Sequence, residues 1–430
     1  MATLGQTINA LFYLKTGSNV VQPGEPTCPA SCRVFVLQGR RYNILMPFVT
    51  QGKTNLKYIL IVVVLATIVG GGVLGYQYWW VTKKEVPLQE VKAPEKVVKD
   101  TGISEYQWAC GSLHTHIMIF EDEKQNIKSL EEVINASKKL GFKFIMQSEK
   151  GPAYNVDSPG WKNMIKECDK NISKDFVCLS GQENCSKGHF VIIESKNYIP
   201  ETLDAPEVFE EAHKQGSIII VAHPFYKEDI SDIYNYSRWD ILDWEAMEVL
   251  NGVIDQESNE KALKKIYELW NKGIKKSLTG GADFKNHKAY TDILLDPEEV
   301  EDNLKTGYTC LYLKELNKGN IINAIKDGRG YASSGPQINE FSINNAMIGQ
   351  IVSAKKGDSL LIKIDVKAGL KIKAIQINNN SNILKKFNPA TTEFATDLSI
   401  FAEKPGWYNL EIYSEDGRAF TNAIWLEIKK

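Results

Sequence analysis

Net charge is nearly absent from this chain: 51 lysines and arginines stand against 53 aspartates and glutamates, leaving −2. That balance offers nothing to draw in a nucleic acid, and no nucleic-acid partner is expected. Zinc-type cysteine pairs are also missing. The seven cysteines, at 28, 32, 110, 168, 178, 185 and 310, include no CxxC. The CxxxC of Cys28 and Cys32 lies in a proline-rich segment and reads as incidental. If the region after residue 85 lies outside the cytoplasm, a disulfide can form among Cys168, Cys178 and Cys185, with its connectivity left open. Histidine is scarce too, six in 430 residues, so the placement of each one is informative.

Charged side chains are missing altogether between Lys57 and Lys83. The run beginning Tyr58-Ile-Leu-Ile-Val-Val-Val-Leu is long enough to cross a hydrocarbon core of about 30 Å. Tyr76, Tyr78, Trp79 and Trp80 gather at its end like an interfacial aromatic belt. A buried core helix suits shorter runs, and no small-residue cleavage site follows as a signal peptide would need. The sequence therefore predicts a single-pass transmembrane helix over 58–82, in the cell membrane. The N-terminus is expected inside and the C-terminal domains on the extracytoplasmic side. Residues 1–57 show no clear periodicity and are expected to form a disordered tail. Met46, followed by Lys53 and Lys57, would make an ordinary start for a signal anchor. Residues 83–104 mix proline, lysine and glutamate with few apolar side chains and read as a solvated linker.

From about 105 to 336, short strand-like runs alternate with amphipathic helices. Ile127, Leu130, Val133, Ile134 and Leu140 recur at helical spacing before Gly141. Further helices are expected near 159–168, 206–215, 258–272 and 318–326. Strands are expected at 142–147, 175–180, 188–193, 217–222, 246–250, 275–280 and 308–313. Alternation of this kind argues for a parallel sheet or barrel with sites at the strand carboxyl ends. Chemistry-bearing residues fall at those ends. His114 and His116 sit two apart, so in a strand they face the same way. The run 175–180 leads to Glu183, His189 opens the next strand, Ser217-Ile-Ile-Ile-Val-Ala222 leads to His223, and Leu278-Thr-Gly-Gly-Ala282 leads to Asp283. Imidazoles and carboxylates converging at one mouth can hold divalent metal. His213 lies within a helical run and reads as a surface or structural residue.

In order and spacing, Leu113-His-Thr-His116, Gly181-Gln-Glu183, Gly188-His189, Ala222-His-Pro224, Glu248-Val-Leu-Asn-Gly252 and Gly280-Gly-Ala-Asp283 resemble the motifs of the PHP (polymerase and histidinol phosphatase) metal-dependent phosphoesterases. Asn323 to Pro336 resembles the closing segment of a branch that carries a C-terminal β-domain. The resemblance implies an α/β fold with a distorted (β/α)7 PHP-type barrel, here preceded by the transmembrane helix and followed by a β-sandwich. It also implies two or three divalent ions (Mn, Zn or Fe) and a small phosphorylated substrate. By position, His114, His116, Glu183, His189, His223 and Asp283 match metal ligands, with Glu183 able to bridge. Glu121 stands where the family has Asp, and Glu149 where it has His. Glu149 thereby adds an oxygen donor that favours harder ions such as Mn²⁺. Lys285 replaces the family's last histidine, and His287, two residues on, is the candidate ligand to take its place if the loop is locally longer.

Two adjacent divalent ions would activate water and neutralise phosphate oxygens, so a membrane-anchored phosphoesterase is expected. The altered positions leave a second reading: a non-catalytic relative whose degenerate site binds a ligand or partner. Lys150, Lys285 and Lys288 read first as solvated surface lysines, with positive charge supplied beside the phosphate as the alternative. After Gln337 the helical pattern ends. Strand-like runs such as Ser359-Leu-Leu-Ile-Lys-Ile-Asp-Val and Trp407-Tyr-Asn-Leu-Glu-Ile-Tyr, with turns at Asn378-Asn-Asn-Ser-Asn and Glu415-Asp-Gly, predict a β-sandwich over 337–430.

Overall fold

A computed structural model describes residues 32–37, 40–45, 106–116, 123–150, 159–186, 188–226, 242–252, 256–283 and 307–429. The chain divides into two compact units, Met1–Lys92 and Ala93–Lys430. In the first, β1 (Cys32–Leu37) pairs antiparallel with β2 (Arg40–Leu45). Val34-Phe35-Val36 and Tyr42-Asn-Ile-Leu45 are strand-forming runs separated by Gln38-Gly39, so local propensity and a short connection suffice for a hairpin. The tail that sequence had left without regular structure thus contains one. The transmembrane helix expected over 58–82 and the linker over 83–104 lie outside the described residues. Among those described, no helix is long and apolar enough to cross a membrane.

The second unit is built on a mixed sheet. Its strands β3 (Gln107–Thr115), β4 (Phe144–Lys150) and β5 (Val177–Asn184) run parallel. Next comes β6 (Phe190–Ile193), antiparallel to β5, and then β7 (Ile218–Val221), antiparallel to β6. Parallel pairing resumes with β8 (Ala246–Asn251) and β9 (Ser277–Gly281). On the other side of β3, β10 (Tyr308–Leu313) pairs antiparallel and is followed by β11 (Gly330–Ser333). Among the described residues five helices accompany these strands: α1 (Glu123–Lys139), α2 (Pro159–Lys170), α3 (Ala205–Lys214), α4 (Gln256–Asn271) and α5 (Lys318–Lys326). Their starts are locally encoded: Asn317 Oδ1 accepts from the Asn320 N–H at 2.8 Å, and Glu207 Oε2 accepts from the Asp204 N–H at 2.9 Å.

Ten strands follow in the C-terminal region, and among the described residues strand is the dominant element, 45% against 21% helix. β12 (Gln337–Ile343), β13 (Ala346–Met347), β15 (Ser359–Lys367) and β18 (Glu393–Phe401) form a four-stranded sheet. β14 (Ile351–Lys355), β16 (Ile372–Asn379), β17 (Asn382–Phe387), β19 (Gly406–Ser414), β20 (Arg418–Thr421) and β21 (Ile424–Lys429) belong instead to the large sheet, through β20 pairing with β11. Alternating side chains of both layers, among them Ile338, Phe341, Leu360, Ile362, Ile377 and Leu410, fill the core between them.

These pairings correct the expected fold class. The chain is not a distorted (β/α)7 barrel; the expected C-terminal β-sandwich is present as two facing layers, but one of them continues the site-bearing sheet. A single mixed sheet of 15 strands runs from the histidine-bearing strands into the C-terminal region. The physical reason lies in the connections. Only residues 185–189 separate β5 from β6, and a parallel crossover takes about a dozen residues or more. Such a short link returns the chain antiparallel, whatever the hydrophobic alternation suggests.

Two disulfides tie the unit. Cys110 and Cys310 lie opposite one another on β3 and β10 and are joined. Cys168 of α2 is bonded to Cys178 of β5, one of the pairings left open by the sequence. The C-terminal strands are held to α4 by Trp407, whose ring meets Tyr267 at a tilt and Trp270 edge to face, centroids 5.0 Å apart in both cases. Asn422 completes the joint: its Oδ1 accepts from the Leu278 N–H at 2.7 Å, while Nδ2 donates to Leu278 O at 3.1 Å and Gly330 O at 3.0 Å. Its side chain is buried, so Asn422→Ala would take this partner from the Leu278 N–H and C=O away from water, while Gly330 O keeps the Asn422 backbone N–H at 3.1 Å. A loss of about 2 kcal/mol in unfolding free energy is expected, and urea titration of the variant beside the parent checks it.

Candidate metal centre

The site is assembled where β3, β5, β7, β8 and β9 end. His114 and His116 come from the end of β3, Glu183 from β5, His223 follows β7, Glu248 and Asn251 lie on β8, and Asp283 follows β9. His189 stands just before β6. Period-two alternation puts both β3 histidines on one face, and the rings meet edge to face with centroids 5.1 Å apart.

Two groups of donors result, each close enough to hold a metal ion. In the first, His114 Nε2 and His116 Nε2 are 3.1 Å apart. Glu183 Oε2 lies 3.3 Å from the first and 3.1 Å from the second. Asp283 Oδ1 lies 3.3 Å and 3.4 Å from them. Five edges of a four-cornered figure are thereby close to equal. Four donors at such spacings can surround one metal ion. In the second group, Glu183 Oε1 lies 2.7 Å from His189 Nδ1 and 3.1 Å from His223 Nε2, and the two imidazole nitrogens are 3.4 Å apart. Glu183 therefore turns one oxygen to each group. Asp283 Oδ2, 3.5 Å from His223 Nε2, also reaches toward the second.

Further contacts fix these side chains. Glu248 Oε1 lies 3.2 Å from His114 Nδ1, so a proton on Nδ1 leaves the Nε2 lone pair facing the cluster. Glu248 Oε2 accepts from the His223 backbone N–H at 3.0 Å and from Asn251 Nδ2 at 2.9 Å. Asn251 Nδ2 in turn donates to Asp283 Oδ2 at 3.0 Å. His223 and Asp283 take φ of 25° and 50°. Holding a non-glycine residue there costs about 1–3 kcal/mol and persists where surrounding contacts over-determine it. Gly281 is required for closeness: a Cβ there would sit 2.2 Å from Glu248 Oε1 and 2.5 Å from His114 Cβ.

The electrostatics follow from burying three carboxylates together. Glu183 is fully enclosed, and Asp283 and Glu248 nearly so. Burial opposes a charge on His114, but the carboxylates of Asp283, Glu248 and Glu183 outweigh it and hold its pKa well above the ordinary imidazole value. His116 is raised in the same way, with burial opposing and Asp283 and Glu183 favouring the charged ring. Burial also opposes charge on Glu183 and Asp283, yet the neighbouring imidazoles, His114 foremost, hold both carboxyls well below the usual range. The pocket demands positive charge, and protons or a metal cation can supply it.

Of the other expected ligands, only Glu149 lies among the described residues. Glu149 is buried and accepts from Gln147 Nε2, but it belongs to neither donor group. Strand register pairs Glu149 with Gln182 and Lys150 with Glu183, which places Glu149 out of step with the bridging carboxylate. Glu121, Lys285, His287 and Lys288 lie outside the described residues, and so does the side chain of Lys150. His213 is apart from the cluster as expected, its Nε2 3.3 Å from Glu245 Oε1. Sequence reasoning quoted Glu248 and Asn251 within a motif but gave them no role. The signal available was a carboxylate two residues after a buried strand's start, which does not distinguish an orienting group from a core residue.

No family model matches the chain, and no curated protein does. Among solved structures, titin domain M4 is 11% identical over 22% of this chain and 96% of its own, with a TM-score of 0.17. The sulfur carrier protein SoxY of Chlorobium limicola f thiosulfatophilum is 14% identical over 22% and 79%, with a TM-score of 0.16. An engineered protein is 9% identical over 71% and 81%, with a TM-score of 0.20. Scores this low leave the argument with the site itself.

A pH dependence follows for the metal-stripped protein. Raised imidazole pKa values give stability that is fully present below about 6.5, the ordinary histidine value, and is lost as pH rises through the raised ones. Depressed carboxyl values give stability that is present above about 4.5 and is lost as pH falls through them. Thermal melts after chelation should therefore show Tm declining on the alkaline side of neutrality, with divalent metal restoring it. A melt profile flat from about pH 6 to 9 would contradict the charged-imidazole arrangement.

Proposed function

We propose that this chain is a metal-dependent phosphoesterase that holds two divalent ions and hydrolyses a small phosphorylated substrate. The observation that carries the reading is the placement of Glu183, with Oε2 among His114, His116 and Asp283 and Oε1 against His189 and His223. One carboxylate between two donor groups suits a bridging ligand. Two ions so held would lower the pKa of a water and neutralise charge on phosphoryl oxygens. The residues' order along the chain supports the phosphoester class, since it is this order that resembles the PHP phosphoesterases. The two imidazoles and two carboxylates of the first group suit zinc. With Glu149 outside both groups, the argument for a harder ion there loses its extra oxygen donor.

The chain's own residues divide the work by position. Glu248 orients His114 and, through the His223 N–H, the start of the loop after β7. Asn251 bridges Glu248 and Asp283, so the last carboxylate cannot rotate without breaking a hydrogen bond. His189 is the most exposed of the four imidazoles in the site, 16% against 5% or less for His114, His116 and His223. Substrate entry is therefore assigned to its side. Attachment to a membrane through the apolar run 58–82, with the site on the extracytoplasmic face, is part of the same proposal. The two disulfides support that placement, because structural disulfides persist in oxidising compartments.

Full-length protein, stripped by chelation and reloaded with Zn²⁺ or Mn²⁺, should hydrolyse an aryl phosphate. His116→Ala and Glu183→Ala should each lower kcat by about a hundredfold or more. Glu248→Gln should weaken metal affinity by roughly tenfold to a hundredfold while the fold survives. Stoichiometric metal uptake with no phosphatase activity in the parent would replace this reading with a non-catalytic metal-bearing binding protein.

A further inference from the structure

A second site-like feature lies at the other end of β9. Ser277, the first residue of that strand, lines a cleft of about 340 Å³, whereas Gly281, its last, packs against His114. At about 3.3 Å per residue the two positions are about 13 Å apart along the strand. The cleft is therefore separate from the metal centre. It lies between the β9 and α5–β11 segments on one side and the β14 and β21 segments on the other.

Its charge is unlike that of the chain as a whole. Lys275, Lys276, Lys326 and Arg329 line it against a single acid, Asp327, a local excess of three positive charges in a chain of net charge −2. Lys276 is partly committed within the fold: its Nζ donates to Trp244 O and stands 3.9 Å from Asp243 Oδ1. Arg329 Nη2 reaches Asp327 Oδ2 at 3.2 Å, but its Nε–H is shielded from solvent with no acceptor. Lys275 lies over the half-buried ring of Trp425, 5.0 Å from its centroid. Lys326 is exposed at the end of α5. The closeness of the walls is built in, since Gly349 lies at φ 85° and a Cβ there would meet Asp327 O at 2.6 Å.

We propose that this cleft binds a small, multiply charged oxyanion, with Lys275, Lys326 and Arg329 supplying charge and Trp425 a flat apolar wall. Lys275 and Lys326 add positive charge beyond what Asp327 and Asp243 offset, and an anionic ligand relieves the resulting repulsion. The arrangement suits a ligand of phosphate or carboxylate groups on a compact body, because outside the cleft's excess of three positive charges the rest of a chain of net charge −2 is acidic and disfavours longer polyanions. The inference does not rest on the phosphoesterase reading, and its test is made without metal, where the carboxylate-rich centre repels anions.

Calorimetric titration of metal-stripped, full-length protein with inorganic pyrophosphate and, separately, with citrate addresses both ligand chemistries. Saturable one-to-one binding of at least one is expected, weakened tenfold or more in the Lys275→Ala, Lys326→Ala double variant and retained in His116→Ala. Circular dichroism and the melting temperature of the double variant establish that both exposed substitutions leave the fold intact. Absence of binding by both probes, equal binding by the double variant, or loss of binding in His116→Ala would each overturn the proposal.

Discussion

Three carboxylates buried within a few ångströms of one another are the constraint on which the rest of this site depends. Glu183, Glu248 and Asp283 are removed from water, each with an oxygen 3.2–3.3 Å from a nitrogen of His114. Isolated carboxylates in such surroundings would be very costly. The imidazoles around them make the arrangement tolerable, and they do so with nitrogens gathered closely enough to surround a metal ion. The same groups therefore serve as a proton-bridged polar core or as a metal site, according to what occupies the centre.

Rigidity comes from the sheet. Each ligand is carried at or next to the end of a strand whose flanks are buried, and β5, β6, β7, β8 and β9 are buried along their whole length. Close backbone approach at Gly281 and the strained dihedrals of His223 and Asp283 show that convergence is held against local preference. The C-terminal strands contribute from behind. Asn422 binds β9 and β11 together, and Trp407 packs on α4. That region is an extension of the site-bearing sheet, which gives it a mechanical role in addition to any binding role.

Much of the element list was legible in sequence. Helices at 127–140 and 258–272 and strands at 217–222 and 308–313 appear within a few residues of their expected bounds, because apolar periodicity and glycine stops act locally. Topology was not legible. A hydrophobic run such as Phe190-Val-Ile-Ile reads the same in a parallel or an antiparallel partner, and only the short link before it excluded the parallel choice. Strands β14, β17, β18 and β20 also went unread. Exposed alternation such as Glu393-Phe-Ala-Thr-Asp-Leu-Ser carries little hydrophobic signal, and its pairing with β15 decides its conformation.

At the site, the sequence by itself determined which side chains were available: a few histidines and acids, placed where strands were ending, with His114 and His116 bound to face one way by the strand's two-residue period. Tertiary structure alone decided the company they keep. It brought Glu248 and Asn251 into the site and left Glu149 outside both donor groups. It also set the two oxygens of Glu183 against different imidazole pairs. The reason is that facing direction is a local property of the backbone, whereas distances of about 3 Å between residues more than a hundred positions apart depend on sheet register, and register is chosen by the packing of the whole sheet.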